Sequence, residues 1–423
     1  MDIDKLYQCF LTSAGISTDT RRIESGQMFF ALSGENFNGN KFAKSALEKG
    51  ASYVIVDENL DFESASIIKV KDSLLALQQL ATHHRNELKT TIIAITGSNG
   101  KTTTKELLYQ VLASQYECHF TKGNLNNHIG VPLTILALEA KHELGIIEMG
   151  ANHVGEIKDL CNIAQPDFGL ITNIGKAHLE GFGSLDGIIK GKSEMYDYLK
   201  ANQGIIFYNG EDEVLEKQID GYQEGYKYFP SALIPLNTES NWLSFKWEEH
   251  EVVTNLSGLY NLFNIAVAIF IGQYFKVSDV NIVSSISEYV PTNNRSQILV
   301  KDGVEYFLDA YNANPSSMQL SLENFFGIKA DVKVLVLGDM LELGKDSVDE
   351  HKAILNYVCQ NEFERALLVG NEFKKVSNIK DERVKLFDDV NTLKEYIEHH
   401  PIEEGSKVLL KASRGIGLEK MIS

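Results

Sequence analysis

The stretch of sequence that decides the fold is Thr90-Thr91-Ile92-Ile93-Ala94-Ile95-Thr96-Gly97-Ser98-Asn99-Gly100-Lys101-Thr102-Thr103. Its apolar first half predicts a β-strand that ends near Thr96, and the residues from Thr102 to about Ser114 predict a helix. Strand, glycine-rich loop and helix in this order are the context of a phosphate-binding loop. Glycines let the backbone wrap around phosphate oxygens, and the helix N-terminus offers oriented N–H donors. We therefore predict a nucleotide-binding loop that consists of Gly97, Ser98, Asn99, Gly100, Lys101, Thr102 and Thr103.

The spacing of this loop departs from the general pattern G-x-x-x-x-G-K-[ST], which requires a glycine where this chain has Ile95. In the general pattern Lys101 supplies a positive charge to the phosphates, and the Thr102 hydroxyl ligates Mg²⁺. The alternative is a plain glycine turn at the start of a helix, which would bind no ligand. The strand–loop–helix context favours phosphate binding.

Alternating strands and helices divide the chain into three α/β domains. Residues 1–88 form a small N-terminal α/β domain, with strands predicted at Met28–Leu32 and Tyr53–Val56. In residues 89–292 continuous apolar strands alternate with helices, which predicts a mostly parallel, doubly wound sheet around the phosphate loop. The same alternation restarts in residues 293–423 and predicts a Rossmann-like C-terminal domain.

Three further residues follow strands of the central domain. Glu148 ends an apolar run, and an acid at the carboxyl tip of a parallel strand can hold a metal ion beside the loop. Taken alone, it would more often be a solvated loop residue. His178 follows the strand predicted at Phe168–Thr172 and is expected on the same rim of the sheet. Lys192 lies on the next helix, where by itself it would be interpreted as a surface lysine.

Composition argues against several classes of function. A formal charge of −18 argues against a protein that coats nucleic acid, since such affinity comes from clustered Lys and Arg. The 4 cysteines contain no C-x-x-C pair, so neither a disulfide framework nor a zinc site is indicated. No apolar run approaches the roughly 18 residues of a membrane span, and the first residues do not resemble a signal sequence. We expect a cytoplasmic protein.

These motifs together resemble those of the Mur ligases, the ATP-dependent amide-forming enzymes of peptidoglycan synthesis, over essentially the whole chain. Thr96–Glu106 is similar to the ATP loop of that family, with Ser98 where the family typically has Thr. The family shares the spacing that places Ile95 outside the general pattern. Three blocks resemble those of the members that add D-alanyl-D-alanine to UDP-N-acetylmuramoyl-tripeptide: Asn124–Pro132, Asp309–Pro315 and Leu337–Gly344.

The resemblance implies a site with two Mg²⁺ ions. Thr102 and Glu148 match the surroundings of the first ion. His178 matches a histidine at the second ion, and Lys192 matches a lysine whose carbamate helps to hold it. The residues implied to act in catalysis are Lys101, His178, Lys192 and Arg295.

The resemblance also implies contacts to ATP from two domains. Asn261 and Asn264 match a segment near the adenine, although Tyr260 stands where the family usually has His. Arg295 resembles an arginine that reaches the γ-phosphate, and Asp309 resembles a carboxylate on the ribose. Closure of the C-terminal domain would then complete the site.

Substrate contacts are implied in all three domains. Thr20, Arg21 and Ser33 lie in segments like those that recognise UDP, with Asn38 and Asn40 where Asp and His are more usual. A block from Lys411 to Gly415, with Ser413 and Arg414, resembles one expected near the incoming dipeptide. The other implied substrate residues are Asn124, Asn126, Asn127, Asn312 and Asn314.

The implied reaction is ATP-driven formation of an acyl phosphate, which the amine of D-alanyl-D-alanine then attacks. The implied partners are ATP, Mg²⁺, UDP-N-acetylmuramoyl-tripeptide and D-alanyl-D-alanine, without nucleic acid or membrane insertion, and we expect a monomer. One alternative is another ligase of this superfamily, which adds a single amino acid or joins glutamate to folate. A second is a non-catalytic nucleotide switch, which would need no carbamylated lysine.

Overall fold

The computed structural model describes residues 2–236, 241–292, 295–376 and 381–422. Three successive α/β domains are built around a four-stranded sheet and two six-stranded sheets. This confirms the predicted three-domain α/β fold. Within the described residues, no helix is both long enough and apolar enough to cross a bilayer.

The N-terminal domain contains a parallel sheet with strand order β1-β2-β5-β6 and a short β3–β4 hairpin. The strand predicted at Met28–Leu32 ends at Phe30, because the Leu32 carbonyl accepts a turn hydrogen bond from Gly39 N at 2.8 Å. Its elements are β1 (Ile16–Ser17), β2 (Met28–Phe30), β3 (Ser33–Gly34), β4 (Phe37–Asn38), β5 (Tyr53–Val56), β6 (Ile67–Lys69), α1 (Ile3–Leu11), α2 (Ala43–Glu48), α3 (Ser73–Glu87) and a 3-10 turn at Gly39–Phe42.

The central domain is a parallel sheet with strand order β12-β11-β10-β7-β9-β8, covered by helices, and a small antiparallel sheet β13-β14-β15. Its strands are β7 (Thr91–Thr96), β8 (Cys118–Phe120), β9 (Leu144–Glu148), β10 (Phe168–Ile171), β11 (Ile205–Asn209), β12 (Gly225–Tyr228), β13 (Ile234–Pro235), β14 (Ser244–Trp247) and β15 (His250–Val253). Its helices are α4 (Lys101–Ala113), α5 (Gly130–Leu136), α6 (Glu156–Ala164), α7 (Leu179–Phe182), α8 (Leu185–Ala201), α9 (Glu213–Ile219), α10 (Asn261–Tyr274), α11 (Asp279–Glu288) and a 3-10 turn at Pro230–Ala232.

The register of the central sheet brings the candidate residues to one edge. Strand β7 lies between β9 and β10, with Ile95 opposite Glu148 and Thr96 opposite Ile171. The phosphate loop, Glu148 and the segment after β10 therefore leave the sheet side by side, at the carboxyl ends of parallel strands. Open α/β sheets bind ligands at this edge.

The C-terminal domain has a second six-stranded sheet with order β16-β17-β21-β18-β19-β20, in which only the edge pair β16–β17 is antiparallel. Its strands are β16 (Gln297–Lys301), β17 (Val304–Leu308), β18 (Lys333–Gly338), β19 (Arg365–Val369), β20 (Val384–Phe387) and β21 (Lys407–Lys411). Its helices are α12 (Pro315–Gly327), α13 (Ser347–Cys359), α14 (Asn371–Val376), α15 (Val390–His399) and 3-10 turns at Gly344–Asp346, Arg414–Ile416 and Leu418–Met421.

Helix α3 fastens the N-terminal domain to the central one. The Arg85 side chain donates to the Ala164 carbonyl at 3.0 Å and forms an ion pair with Asp167 at 3.0 Å. His84 Nε2 is 2.9 Å from the Leu138 carbonyl oxygen. His84 and Arg85 are both buried, so helix α3 is joined to the central domain through side chains that are largely withdrawn from water.

Candidate functional site

The phosphate loop uses its two glycines where no other residue fits. Gly97 has φ +147° and Gly100 has φ +79°. A Cβ atom at Gly97 would lie 1.9 Å from the Thr172 hydroxyl oxygen, and one at Gly100 would lie 2.4 Å from Asn264 Oδ1. Helix α4 begins immediately afterwards at Lys101, with no side-chain cap on its first N–H groups. Those N–H groups are therefore available to an anion.

The segment after β10 is hydrogen-bonded to the phosphate loop. Asn173 accepts hydrogen bonds from Ser98 N at its carbonyl oxygen, at 2.9 Å, and from Asn99 N at its Oδ1, at 3.1 Å. The Thr172 hydroxyl donates to the Asn99 carbonyl at 2.6 Å, and the Ser98 hydroxyl donates to the Gly175 carbonyl at 2.9 Å. Ser98, which was predicted to bind ATP, thus has a side chain that holds the loop in shape.

Lys101 is the positive charge of the loop. Its ammonium donates to the carbonyls of Gly97 at 2.6 Å and Ser98 at 3.2 Å. Burial lowers the pKa of Lys101 to about 8, Glu148 opposes that shift, and the charge of Arg295 adds to it. Lys101 therefore lies within electrostatic reach of one acid from the central sheet and one arginine from the C-terminal domain.

Glu148 is a buried carboxylate with one oxygen engaged. It is 1% exposed, and its Oε1 accepts from the Thr102 hydroxyl at 3.2 Å and from Asn126 Nδ2 at 2.8 Å. Its Oε2 has no hydrogen bond within the described residues, and the Lys105 ammonium lies 3.4 Å away. A buried carboxylate oxygen beside a threonine hydroxyl provides the hard oxygen ligands that suit Mg²⁺, so Thr102 and Glu148 fit a metal ion.

Lys105 belongs to the site although it was not predicted from the sequence. Its side chain is fully buried, and it is the charged partner of Glu148. The available signal was its position on α4, one helical turn after Lys101, which places both lysines on the same face of the helix. Thr103, predicted to bind ATP, is also buried in the first turn of α4.

Lys192 is buried, so the simple interpretation as a surface lysine is wrong. It is 1% exposed on α8, and its Nζ lies 5.5 Å from the centre of the Phe182 ring. Burial, and secondarily the charge of Lys101, hold the pKa of Lys192 well below its usual range. The amine is therefore more easily neutral than an ordinary lysine.

His178 lies at the N-terminus of α7 and faces the C-terminal domain. It has φ +54°, and its Nδ1 forms a hydrogen bond with Oε2 of Glu342. This bond holds the pKa of the Glu342 carboxyl below its usual range. Within the described ranges, no three His, Cys, Asp or Glu side chains converge on one point.

Asn261 and Asn264 form a buried chain of amides between α4 and the start of the C-terminal domain. The Thr104 hydroxyl donates to Asn264 Oδ1 at 3.1 Å, and Asn264 Nδ2 donates to Asn261 Oδ1 at 2.8 Å. Asn261 Nδ2 in turn donates to the Ser296 hydroxyl at 3.1 Å, and the Tyr260 hydroxyl is 3.0 Å from the same oxygen. These contacts link the helix behind the phosphate loop to the residues next to Arg295.

The C-terminal domain carries two predicted ATP-binding residues, Asp309 and Arg295. The Asp309 carboxylate is bound by the buried Lys411 ammonium at 2.6 Å and by the hydroxyl of Ser321. The Arg295 guanidinium lies over the Tyr311 ring, with its Cζ 3.7 Å from the ring centre, and its Nε is buried without a hydrogen bond in the described chain.

The residues predicted to bind the dipeptide lie around Tyr311 and the start of α12. Arg414 Nη1 donates to the Tyr311 hydroxyl at 3.3 Å. The Ser413 hydroxyl donates to the Ala313 carbonyl at 3.2 Å, and Asn312 contributes its carbonyl oxygen, 3.4 Å from the Lys411 ammonium.

Asn314 connects the two domains directly. It caps α12 through the Ser317 N–H at 2.9 Å, and its Nδ2 donates to Asn99 Oδ1 of the phosphate loop at 2.7 Å. The loop and the C-terminal domain are therefore in hydrogen-bonded contact.

The predicted substrate residues of the N-terminal domain form a separate group. Ser33, Asn38 and Asn40 are hydrogen-bonded to one another, and Asn40 Nδ2 donates to Asp57 Oδ1 at 2.7 Å. Within the described residues this group has no hydrogen bond to the phosphate loop.

The segment Thr20–Arg21 has no hydrogen bond to that group in the described part of the chain. The exposed Arg21 guanidinium pairs with Asp19 at 2.8 Å, and the Thr20 carbonyl accepts from the Lys49 ammonium at 2.8 Å. The Arg21 guanidinium is 86% exposed, so it remains accessible from solvent.

The asparagine-rich segment after β8 contacts Glu148 through Asn126, and it contacts helix α3, where Gln78 Nε2 donates to the His128 carbonyl at 3.0 Å. Asn127 Oδ1 accepts from Gly130 N at 2.9 Å at the start of α5, and the Asn124 carbonyl accepts from Asn126 N at 2.8 Å. Asn127 also lines a cavity of about 750 Å³ between α3 and α6. Asn126 thus contacts the carboxylate of Glu148, whereas Asn127 lies at the cavity beside helix α3.

Comparison with known families gives matches in all three domains. The models described as "Mur ligase family, catalytic domain", "Mur ligase middle domain" and "Mur ligase, glutamate ligase domain" match residues 12–85, 95–272 and 294–414. The UDP-N-acetylmuramoyl-tripeptide–D-alanyl-D-alanine ligase of Bacillus subtilis is 34% identical over 96% of this chain and 92% of its own length. The enzyme of the same name from Escherichia coli is 30% identical over 97% of this chain and 93% of its own length.

Solved structures give the same result for the fold. MurF from Acinetobacter baumannii superposes with a TM-score of 0.86 at 29% identity, covering 99% of this chain and 97% of the other. MurF ligase from Thermotoga maritima in complex with ADP has a TM-score of 0.83 at 28% identity and covers 98% and 97% of the two chains.

Proposed function

Because the chain belongs to the Mur ligase family, we propose that it is the ligase that adds D-alanyl-D-alanine to UDP-N-acetylmuramoyl-tripeptide. The enzyme uses ATP to form a peptide bond in peptidoglycan precursor synthesis. Roles in cell shape and cell division would follow from that reaction, which we place in the cytoplasm.

The observation that carries the proposal is the position of Lys101. Its neighbour Thr102 donates a hydrogen bond to the buried Glu148 at 3.2 Å. Burial lowers the pKa of Lys101, while Glu148 raises it and Arg295 lowers it; burial, and secondarily the charge of Lys101, lower the pKa of Lys192. A phosphate loop, a buried acid, a buried amine and an arginine from a second domain therefore act on one small region. Such a region can neutralise a triphosphate and an attacking carboxylate, which are both anions.

Two Mg²⁺ ions complete this proposal. Thr102 and Glu148 would hold the first ion, and His178 and a carbamate on Lys192 would hold the second. When bound, the ions supply positive charge that offsets the approach of the carboxylate to the phosphates. The carbamate forms when the neutral Lys192 amine attacks CO₂, with a new N–C bond and loss of one proton.

The residues of the chain divide the remaining tasks. Lys101, Arg295 and the N–H groups of the loop hold the γ-phosphate. Asn261 and Asn264 lie near the adenine, and Asp309 binds the ribose. Thr20, Arg21, Ser33, Asn124, Asn126 and Asn127 bind the UDP substrate, and Asn312, Asn314, Ser413 and Arg414 bind the dipeptide.

The reaction then takes place in two steps. A terminal carboxylate oxygen of the tripeptide attacks the γ-phosphorus, so that ADP leaves and an acyl phosphate forms. The amine of D-alanyl-D-alanine attacks the acyl carbon, and phosphate leaves as the amide bond forms. The contact between Asn99 and Asn314 brings the C-terminal domain against the loop, and such closure positions the amine and keeps water from the acyl phosphate.

The proposed domains are 1–88 for the UDP substrate, 89–292 for ATP and 293–423 for the dipeptide. We further propose that the chain acts as a monomer.

The choice of acceptor is tested by ADP release with UDP-N-acetylmuramoyl-tripeptide and a panel of amines. We expect D-alanyl-D-alanine to stimulate ADP release and single amino acids to leave it at the background rate. Stimulation by a single amino acid alone would refute the assignment and favour another ligase of the superfamily. ATP binding without stimulation by any acceptor would favour a nucleotide switch.

A further inference from the structure

Glu342 lies in the segment after β18 and reaches across to the central domain. Its Oε2 is hydrogen-bonded to His178 Nδ1, and its carbonyl oxygen accepts from Glu180 N at 3.1 Å. Both the side chain and the backbone of Glu342 therefore contact the first turn of α7. None of the tasks of the proposed reaction is assigned to this residue.

The backbone at this contact is strained on both sides. His178 has φ +54° and Glu342 has φ +64°, and neither is a glycine. A non-glycine residue in the left-handed region costs about 1–2 kcal/mol, and such conformations are concentrated at functional sites. Two strained residues that face one another across a domain interface indicate a contact with a specific geometric purpose.

The hydrogen bond has a chemical consequence for the histidine. A proton on Nδ1 that is donated to a carboxylate leaves the lone pair on Nε2, which is then free to ligate a metal ion. Within the described residues, Nε2 of His178 has no hydrogen-bond partner. At the other end of the same short helix, the Phe182 ring lies 5.5 Å from the Lys192 amine. Helix α7 therefore joins the two residues proposed to hold the second ion.

We propose that Glu342 is a positioning residue that fixes the tautomer and orientation of His178 from the C-terminal domain. The second metal site is then fully formed only when the C-terminal domain, which carries the dipeptide, is in contact with the central domain. The inference rests on the proposed function, because it takes His178 as a metal ligand.

A second carboxylate at the same interface provides a matched control. Glu350 forms an ion pair with Lys176 at 2.5 Å across the same two domains. Lys176 lies two residues before His178 in the chain. Removal of Glu350 weakens the interface by one carboxylate and leaves the hydrogen bond to His178 in place. A comparison of the two variants separates orientation of the histidine from simple loss of a domain contact.

The experiment counts bound Mn²⁺ by electron paramagnetic resonance, in the full-length chain with a non-hydrolysable ATP analogue. We expect two Mn²⁺ ions in the wild type. In Glu342→Ala the dissociation constant of one ion should rise about 10- to 100-fold, as is typical when a group behind a metal ligand is removed, while the other is unchanged. Glu342→Gln, whose amide oxygen still accepts from Nδ1, should recover most of the affinity, and Glu350→Ala should match the wild type.

Several results would overturn the inference. These are wild-type affinity in Glu342→Ala, an equal loss in Glu350→Ala, or a wild-type chain that binds only one Mn²⁺. If Glu342→Ala does not fold, Glu342→Gln is compared with Glu350→Gln instead. The dissociation constant of one Mn²⁺ ion should then rise in Glu342→Gln, by less than the roughly 10- to 100-fold expected for Glu342→Ala, and should be unchanged in Glu350→Gln. The ligase activity of the wild type is measured separately. If the wild type forms product while Mn²⁺ binding is unchanged in Glu342→Ala, only this inference is refuted.

Discussion

The guanidinium of Arg295 lies on the ring of Tyr311, with its Cζ 3.7 Å from the ring centre. Arg414 contacts the same residue, with its Cζ 5.2 Å from the ring centre and its Nη1 donating to the hydroxyl at 3.3 Å. Tyr311 thus joins the arginine proposed for the γ-phosphate to the arginine proposed for the dipeptide.

Substitutions at Tyr311 should separate these two functions. Tyr311→Phe keeps the ring under Arg295 and loses the hydrogen bond to Arg414. We therefore expect the KM for D-alanyl-D-alanine to rise about 2- to 10-fold, which corresponds to the net free energy of one hydrogen bond. Tyr311→Ala also removes the cation–π contact, and kcat/KM for ATP should fall about 2- to 30-fold. Steady-state kinetics with each substrate varied in turn measure both effects. Equal losses for ATP in the two variants would contradict the stacking role.

Lys192→Ala should abolish turnover, because the variant cannot form the carbamate. Added acetate or formate should restore part of the activity by supplying a carboxylate in the vacated space. The matched control is Lys190→Ala on the same helix, since Lys190 is exposed whereas Lys192 is 1% exposed. Rates of ADP release in the two variants test this prediction. Normal turnover in Lys192→Ala would refute the carbamate.

Binding of ATP should take up protons near pH 8. Burial lowers the pKa of Lys101 to about 8 in the free protein, so about half of the molecules carry a neutral lysine at that pH. The triphosphate favours the charged form, and ATP affinity should therefore weaken as the pH rises from 7 to 9. Calorimetric titrations in two buffers of different ionisation enthalpy measure the proton uptake. Lys101→Met provides the comparison, in which uptake should disappear together with most of the affinity.

Gly97→Ala should destabilise the protein and eliminate nucleotide binding. The added Cβ would lie 1.9 Å from the Thr172 hydroxyl at a backbone φ of +147°. We expect the free energy of unfolding to fall by more than about 1 kcal/mol. Gly327→Ala is the control, because Gly327 is the last residue of α12 and has no atom within 4 Å of the added Cβ. Thermal melting and ATP titration distinguish the two. A Gly97→Ala variant that bound ATP with wild-type affinity would contradict the close packing of the loop.

Much of the fold could be predicted because the signals are local. Strand β5 has the predicted bounds Tyr53–Val56, and helix α4 (Lys101–Ala113) differs by one residue at each end from the predicted helix. An apolar run followed by a glycine-rich loop and a helix specifies its own structure within about 20 residues. The antiparallel strands β13–β15 were not predicted, because they are short and carry no strong turn signal.

The contacts that shape the site could not be predicted, because they join distant parts of the chain. The pairing of Lys105 with Glu148, the bond from Asn314 to Asn99 and the contact of Glu342 with His178 all depend on how separate elements pack. The burial of Lys192 is of the same kind. Family resemblance suggested a role for that residue, and only the packed structure shows that its amine is withdrawn from water.

The most direct test of the proposed reaction follows oxygen atoms through it. The terminal carboxylate of UDP-N-acetylmuramoyl-tripeptide is labelled with ¹⁸O at both oxygens and incubated with the enzyme, ATP, Mg²⁺ and D-alanyl-D-alanine. Mass spectrometry should find a pentapeptide product that retains one ¹⁸O in the new amide and inorganic phosphate that carries the other. Pentapeptide accompanied by phosphate without ¹⁸O, or no pentapeptide at all, would contradict ligation through an acyl phosphate.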